Sequence, residues 1–318
     1  MDVTLFGGID AGGTSTRCLV ADEHGRFIGL GHGGPGNSLL SGPETALRGI
    51  RAAMDGALAA MPNARLAFLH IAAAGTVIPG GAHDLAGTVS TGNDAPAALI
   101  GALIQTPGAI VIAGTGSACC GQDGNGRMLI EGGWGPLAGD EGSGYAIGRE
   151  AVRLLARVLD GREPDGALTT ALRARLGARD RPTLQSALYD PPLPREEVAA
   201  MCGMVAQAAE QGDRRAHALL AQAGRDLAHV VRDILAHLDL LERDAGVVTR
   251  GGVWQAGAPI LGPFVRALGR HAPRACVTHA RFPAVAGAVL LAYRQAGLAL
   301  EAPLLDALER GLAARGIV

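Results

Sequence analysis

Two stretches of the sequence follow one plan: Ile9-Asp10-Ala11-Gly12-Gly13-Thr14 and Ile112-Ala113-Gly114-Thr115-Gly116-Ser117. Each stretch continues an apolar run that predicts a strand, and each leads to a second strand and a hairpin signal. Glycines allow backbone N–H groups to approach an anion closely, while the threonine and serine hydroxyls add hydrogen-bond donors. The two turns together therefore predict a clamp for a polyphosphate.

Composition and charge restrict the classes of function. With 48% hydrophobic residues over 318 positions, the chain can bury a sizeable core, most simply in two domains. A net charge of -2 and an aromatic content of 3% predict no basic face and little base stacking for nucleic acid. The sequence begins with a strand instead of a signal peptide, and no apolar run approaches the roughly 20 residues of a membrane span. We predict a soluble cytoplasmic protein that binds neither nucleic acid nor a membrane.

The basic and sulfur-containing residues exclude several kinds of chemistry. All 28 residues of the Lys and Arg classes are Arg, which removes the P-loop lysine, the kinase strand lysine and Schiff-base catalysis. The cysteines form no C-x-x-C pair, which favours reduced core thiols over disulfides or a metal site. They are Cys18, Cys119, Cys120, Cys202 and Cys276. A nucleotide site in this chain would have to work without lysine.

Alternating strands and helices predict an α/β fold with two similar halves around a central cleft, which is the expected place for a ligand. The breaker run Thr106-Pro107-Gly108 predicts domains over 1–107 and 108–292, with a C-terminal helix over 293–318 completing the first. The predicted helices are 43–61, 95–104, 143–160, 194–211, 213–240, one beginning near Pro259, and 284–292. Besides the strands of the two hairpins, the predicted strands are 66–73, 109–113 and 246–249.

Four motifs in this order resemble the BadF/BadG/BcrA/BcrD ATPase family, and within it the N-acetylglucosamine kinases and bacterial glucosamine kinases. Besides the two turns, the motifs are the run from Gly132 to Ser143 and the turn Gly251-Gly252-Val253-Trp254. This family is part of the sugar kinase, heat-shock and actin-like superfamily, so the resemblance implies duplicated ribonuclease-H-like domains. It also implies that ATP phosphorylates the 6-hydroxyl of an amino sugar, with Mg²⁺ as cofactor and a homodimer as the assembly.

The resemblance also assigns a nucleotide site. Asp10 would hold Mg²⁺ through water, since this cation prefers carboxylate oxygens and keeps part of its hydration shell. Because no lysine is available, charge neutralisation would fall on Mg²⁺ and backbone dipoles. The residues assigned to ATP are Gly12, Gly13, Thr14, Gly114, Thr115, Gly116, Gly251 and Gly252. Taken alone, either phosphate turn is equally well explained as an ordinary glycine turn.

Asp94 is the candidate catalytic residue. It precedes an apolar helix and matches the catalytic base of the family. A carboxylate near a helix start also serves commonly as an N-cap. As a base, Asp94 would accept the proton of the sugar hydroxyl that attacks the γ-phosphoryl group in line. The family context favours the base.

Sugar recognition needs convergent polar groups, because hydrogen-bonded hydroxyls are discriminated far better than apolar groups. The resemblance assigns this role to Asn37, Asp94, Ser117, Ala118, Gly133, Trp134, Gly135 and Asp140. Taken singly, Asn37 is more simply a turn residue and Trp134 a core or interface aromatic. Two neighbours keep two interpretations each: Glu141 as a supporting partner or a helix cap, and Arg250 as a phosphate contact or a solvent-facing side chain.

Three other protein classes share parts of this pattern. A glucokinase of the repressor/kinase type would carry a structural zinc set, which the sequence lacks. An activator ATPase would carry an iron–sulfur cluster on paired cysteines, and the adjacent Cys119-Cys120 do not match that. A regulatory ATP-binding module would keep both turns without needing the sugar residues. The acceptor stays open among glucosamine, N-acetylglucosamine, N-acetylmannosamine, N-acetylmuramate and glucose, and its pocket could be built from residues 75–90 and 117–135.

Overall fold

The computed structural model describes residues 3–73 and 81–317, which divide into two compact units. Unit 1 comprises Met1–Thr106 and His279–Val318, and unit 2 comprises Pro107–Thr278. The first boundary therefore lies one residue before the predicted one. The second differs more, because residues 279–292 were predicted to close the second domain and belong to unit 1.

Within the described residues, ten strands form one five-stranded sheet in each unit. The strands are β1 Leu5–Ala11, β2 Thr16–Asp22, β3 Phe27–Gly33, β4 Leu66–Ala73, β5 Ala86–Gly92, β6 Gly108–Ala113, β7 Ser117–Gln122, β8 Met128–Gly132, β9 Ala245–Arg250 and β10 Ala275–Thr278. The sheet of unit 1 has the order β3-β2-β1-β4-β5, and that of unit 2 has the matching order β8-β7-β6-β9-β10. In both sheets the first three strands are antiparallel and the last two join in parallel. The predicted α/β fold with two similar halves is confirmed.

Helices follow the strands in both units. They are α1 Ser38–Ser41, α2 Pro43–Ala57, α3 Asp94–Leu103, α4 Gly144–Leu159, α5 Ala167–Leu176, α6 Arg181–Tyr189, α7 Arg195–Glu210, α8 Arg214–His237, α9 Ala258–His271, α10 Ala284–Gln295 and α11 Ala302–Ala313, with 3₁₀ helices at Ala82–Leu85 and Gly252–Ala256. The predicted helices agree with these bounds to within a few residues, except the predicted C-terminal helix 293–318, where the structure has the end of α10 and the separate helix α11. The sequence patterns did not predict α1, α5, α6, β5 or β10. None of the helices in the described part of the chain is both long and apolar enough to cross a membrane.

Helix α10 belongs to unit 1 because glycines let it lie directly on that unit's backbone. A Cβ added at Gly8 of β1 would lie 2.3 Å from the backbone nitrogen of Val289, and one added at Gly287 would lie 1.8 Å from the carbonyl oxygen of Ala97 in α3. Real side chains do not make contacts this short, so glycine is required at both positions. This close packing on β1 and α3 explains why the prediction for residues 279–292 was wrong.

Candidate functional site

The proposed phosphate turn of unit 2 is Gly114-Thr115-Gly116. Two of its carbonyl groups accept hydrogen bonds from the start of α4. The backbone N–H of Gly144 donates to the carbonyl of Gly114 over 2.8 Å, and that of Tyr145 donates to the carbonyl of Thr115 over 3.2 Å. In a trans peptide the N–H group points opposite to the carbonyl of the preceding residue. The N–H groups of Thr115 and Gly116 therefore point away from α4, as an anion-binding nest requires.

The phosphate turn of unit 1 is built in the same way. The carbonyl of Gly12 accepts from the backbone N–H groups of Gly36 and Asn37, over 3.0 and 3.1 Å. The N–H of Gly13 consequently points away from that loop. The N–H of Gly12 closes the turn on the carbonyl of Ser15 over 2.9 Å, as that of Gly114 does on Gly116 over 2.8 Å.

The first residue of the strand that follows each turn is hydrogen-bonded to a more distant loop. Thr16 Oγ1 donates to the carbonyl of Gly34 over 2.8 Å, and Ser117 Oγ donates to the carbonyl of Glu141 over the same distance. Thr16 begins β2 and Ser117 begins β7, so the two hydroxyls occupy matching positions in the matching sheets. The repeat seen in the sequence therefore extends to the hydrogen bonds that hold each turn.

A cavity of about 650 Å³ in unit 2 is lined by Gly114, Thr115 and Gly252, three residues that the sequence analysis assigned to ATP. Much of its remaining wall is the small-residue face of α7, which includes Ala199, Gly203 and Ala206. No sequence motif assigned α7 to the site. The small residues of α7 recur at helical spacing, but the same pattern occurs in ordinary packed helices.

Two further residues lie in this region, Gly251 in the turn after β9 and Cys202 in the wall of the cavity. Gly251 has a φ of +108°, and an added Cβ would lie 2.2 Å from the carbonyl oxygen of Ala113, so the turn after β9 packs on the end of β6. Cys202 lines the cavity, and burial raises the pKa of its thiol to about 11. A thiol with a pKa this high stays protonated near neutral pH and is a weak nucleophile there.

Asp94 is the first residue of α3, and it is not the N-cap. The N-cap is Asn93, whose side chain accepts from the backbone N–H of Ala95 over 2.9 Å. The capping interpretation of Asp94 is therefore wrong. Burial raises the pKa of the Asp94 carboxyl, and hydrogen bonds to backbone N–H groups at the helix start oppose that rise. A carboxylate with a raised pKa is a stronger proton acceptor.

His70 is a buried titratable residue near this helix start that the sequence analysis missed. It lies on β4 with 5% of its surface exposed, and its Nδ1 is 2.9 Å from Ser90 Oγ and 3.4 Å from Gln295 Nε2. Its Nε2 is buried without a hydrogen-bond partner among the described residues, and a Cβ added at Gly92 would lie 3.6 Å from it. The imidazole thus packs beneath the strand end that leads to Asp94, and burial lowers its pKa to about 4.

We expect His70 to make stability depend on pH. Between pH 4 and pH 6.5 the unfolded chain binds a proton at His70 that the native protein does not bind, so the free energy of unfolding rises with pH. The contribution is complete above pH 6.5 and is lost as the pH falls towards 4. From pH 7 to pH 5, His70 alone should lower the free energy of unfolding by about 2 kcal/mol. Urea unfolding followed by circular dichroism at both pH values measures it.

The His70→Gln variant should lack this part of the pH dependence. Its matched control is His83→Gln, which removes an exposed histidine of the same unit and should keep the wild-type dependence. Equal pH dependence in all three proteins would show that His70 is protonated in the native state at pH 5.

The run from Gly132 to Ser143 is the proposed sugar segment. It begins next to the phosphate turn of unit 2 because β8 pairs with β7. The backbone N–H of Gly133 donates to the carbonyl of Ser117 over 2.9 Å, and a Cβ added at Gly133 would lie 3.4 Å from the Cβ of Ala118. Gly135 follows with a φ of +81°. Trp134 is 78% exposed, so it is not a core residue of its unit.

Asp140 is buried and held on both carboxylate oxygens. Oδ1 accepts from the backbone N–H of Ser117 over 3.0 Å, and Oδ2 accepts from Nη2 of Arg195 over 2.5 Å. Its φ of +63° is unusual for a residue other than glycine. Arg195 begins α7 and was missed, because nothing in the local sequence relates it to a residue 55 positions earlier.

Asn37 is the N-cap of α1, and its Oδ1 accepts from the backbone N–H of Leu39 over 3.0 Å. Its interpretation as a turn residue is therefore confirmed. The same residue is bonded through its backbone to Gly12, so it lies beside the phosphate turn of unit 1.

The structure excludes one of the two interpretations of Glu141, and both interpretations of Arg250 stay predictions. Ser143 caps α4 by accepting from the backbone N–H of Ala146, so Glu141 is not the cap. The exposed Glu141 lines a cavity of about 560 Å³ beside α4 and α8. Arg250 is half-buried at the end of β9, paired with Ile112. Part of the predicted acceptor region, residues 75–80, lies outside the described residues.

Asp10 is half-buried near the end of β1, at the phosphate turn of unit 1. The described residues contain no group of three or more His, Cys, Asp or Glu side chains arranged to hold a metal ion. Mg²⁺ usually keeps several waters and binds through one or two carboxylates together with substrate phosphates. A single carboxylate beside a phosphate turn fits that mode.

Sequence comparison finds one matching family and several similar proteins. The model of the BadF/BadG/BcrA/BcrD ATPase family matches residues 8–292. The chain is 30% identical over 206 residues to an N-acetylmuramic acid/N-acetylglucosamine kinase of Clostridium acetobutylicum, covering 65% of this chain and 67% of the relative. It is 32% identical over 173 residues to a glucosamine kinase of Vibrio cholerae, covering 51% and 58%.

A solved structure from Chromobacterium violaceum, assigned as an N-acetylglucosamine kinase, is similar with a TM-score of 0.72 and 28% identity. The similarity covers 91% of this chain and 99% of that one. Together with the repeated sheet order, it confirms the duplicated ribonuclease-H-like fold that the resemblance implied.

Proposed function

The chain belongs to the BadF/BadG/BcrA/BcrD ATPase family, and on that premise we propose that it transfers the γ-phosphoryl group of ATP to the 6-hydroxyl of an amino sugar, N-acetylglucosamine or glucosamine. The names of its relatives support an amino-sugar acceptor. One observation carries the proposal: the sugar segment is bonded directly to a phosphate turn, through Ser117 to Gly133 and Asp140.

Each unit carries one proposed phosphate turn. The N–H groups that point away from the supporting loops would bind phosphate oxygens, and Gly252 with the small face of α7 would bind the nucleoside. Asp10 would hold hydrated Mg²⁺, which supplies positive charge to the phosphates. Asn37, Ser117, Trp134 and Asp140 would contact the sugar.

Asp94 would act as the general base. Its carboxylate accepts the proton of the 6-hydroxyl as the hydroxyl oxygen bonds to the γ-phosphorus and the bond from that phosphorus to the ADP oxygen breaks. The raised pKa of Asp94 supports this role, as does the assignment of the capping function to Asn93.

A coupled assay of ADP release with ATP and Mg²⁺ tests the proposed function. We expect kcat/KM to be highest for N-acetylglucosamine or glucosamine, and at least about 10-fold above glucose, because unpaired polar groups in a hydrogen-bonding site reject an analogue lacking the partner group. N-acetylmannosamine and N-acetylmuramate complete the panel. ADP release that is independent of sugar would favour an ATPase or a regulatory ATP-binding module, and the highest kcat/KM for N-acetylmuramate or glucose would assign a different acceptor.

The homodimer, Mg²⁺ and the cytoplasmic location stay predictions.

A further inference from the structure

Arg195 stands out because its guanidinium group lies against a phosphate turn in a chain without lysine. A Cβ added at Gly116 would lie 2.8 Å from Nη2 of Arg195 and 2.8 Å from Oδ1 of Asp140. Gly116 therefore has no side chain because the Arg195–Asp140 ion pair occupies that space. The ion pair and the turn form one packed unit.

Asp140 needs this support. Its side chain is 3% exposed, its backbone has a positive φ, and its two oxygens have different partners. Backbone conformations of this kind persist only when the surroundings hold them. The Ser117 N–H restrains one oxygen, so the direction of the carboxylate depends on what restrains the other.

Arg195 is well placed for that task, because its backbone is anchored at the start of α7 and its side chain is 38% exposed. A guanidinium group carries its five donors in a rigid plane, so the bond from Nη2 to Asp140 fixes the orientation of that plane against the turn. Taking the ion pair away would leave a buried carboxylate with one neutral donor.

We propose that Arg195 is a positioning residue for sugar phosphorylation: it orients the Asp140 carboxylate towards the acceptor and holds it against the Gly116 turn. This inference rests on the proposed function. Arg195 acts through Asp140, so its loss affects the use of the sugar far more than the binding of ATP. The turn itself keeps the bonds from Gly144 and Tyr145 to its carbonyls.

The experiment compares Arg195→Gln and Arg195→Lys with the wild type. In Arg195→Gln, kcat/KM for the amino sugar should fall about 10- to 100-fold, the range for losing a hydrogen bond to a charged group. The dissociation constant of ATP, measured by calorimetry without sugar, should stay within about twofold of wild type. Arg195→Lys keeps the charge and should therefore recover part of the lost kcat/KM. The recovery should be incomplete, because an ammonium group lacks the planar donor set.

Arg175→Gln is the matched control. It removes an ion pair to Glu197 of α7 that is exposed on both sides, so sugar turnover should be unchanged. Wild-type kcat/KM in a folded Arg195→Gln variant, or an equal loss of ATP affinity and sugar turnover, would overturn the inference. If Arg195→Gln does not fold, Arg195→Lys decides, and full wild-type kcat/KM in that variant counts against it. A wild type that phosphorylates no amino sugar would defeat the proposed function itself, which separates the two failures.

Discussion

Replacing Asp94 by Asn is expected to lower kcat for sugar phosphorylation by about 10²- to 10⁴-fold, the usual contribution of a positioned general base. The amide cannot accept the proton of the attacking hydroxyl, while it keeps the shape of the carboxylate. The fold should persist because Asn93, and not Asp94, caps α3. The measurement is kcat at saturating ATP and sugar, together with ATP affinity, which should stay close to wild type.

The matched control for this substitution is Asp55→Asn. Asp55 is an exposed carboxylate of the same unit on α2, and its replacement should leave kcat unchanged. If Asp94→Asn turns over at the wild-type rate, Asp94 has no part in proton transfer. In the wild type, the acidic limb of the kcat/KM profile should lie above the ordinary pKa of an aspartate, since burial raises the pKa of Asp94.

Replacing Gly203 by Phe is expected to raise the KM for ATP at least about 100-fold, which corresponds to about 2.7 kcal/mol of lost binding. Gly203 is an exposed residue of α7 that lines the cavity beside Gly114 and Thr115. A Cβ added there meets nothing within 4 Å, so a larger side chain can start from this position without a clash at its Cβ. Helix stability should not suffer, because Gly is a poorer helix former than Phe. Initial rates at varied ATP concentration measure the effect.

Gly269→Phe is the corresponding control. Gly269 is exposed on α9, and an added Cβ also meets nothing within 4 Å, but this residue does not line the cavity. Its KM for ATP should equal that of the wild type. A wild-type KM in Gly203→Phe would place the nucleotide elsewhere than in this cavity.

Local patterns predicted most elements of the fold. The strand over 66–73 was predicted with its observed bounds, and the apolar runs before Asp10 and Gly114 were predicted as the strands that lead into the two turns. These predictions succeeded because strand alternation, helical periodicity and glycine turns are properties of neighbouring residues. Residues 279–292 were assigned to the wrong domain, because the contact of Gly287 with α3 joins residues far apart in the chain.

The candidate site divides in the same way. The structure shows that Gly114, Thr115 and Gly252 line one cavity and that Ser117 is hydrogen-bonded to both Gly133 and Asp140, while the roles that the motifs assign to these residues stay predictions. Motifs cannot distinguish a cap from a base, however. For Asp94 the structure excludes the N-cap position, which Asn93 occupies, and the role of base stays a prediction.

By itself, the sequence determined the α/β class, the duplicated plan and the positions of the two glycine turns, since short-range spacing encodes all three. Only the tertiary structure decided which residues pack around the candidate site residues: His70 beneath the strand end before Asp94, the small face of α7, and Arg195 against Gly116 and Asp140. The physical reason is that burial and ion pairing depend on packing between elements distant in the chain. No local pattern specifies which arginine among 28 meets a buried carboxylate.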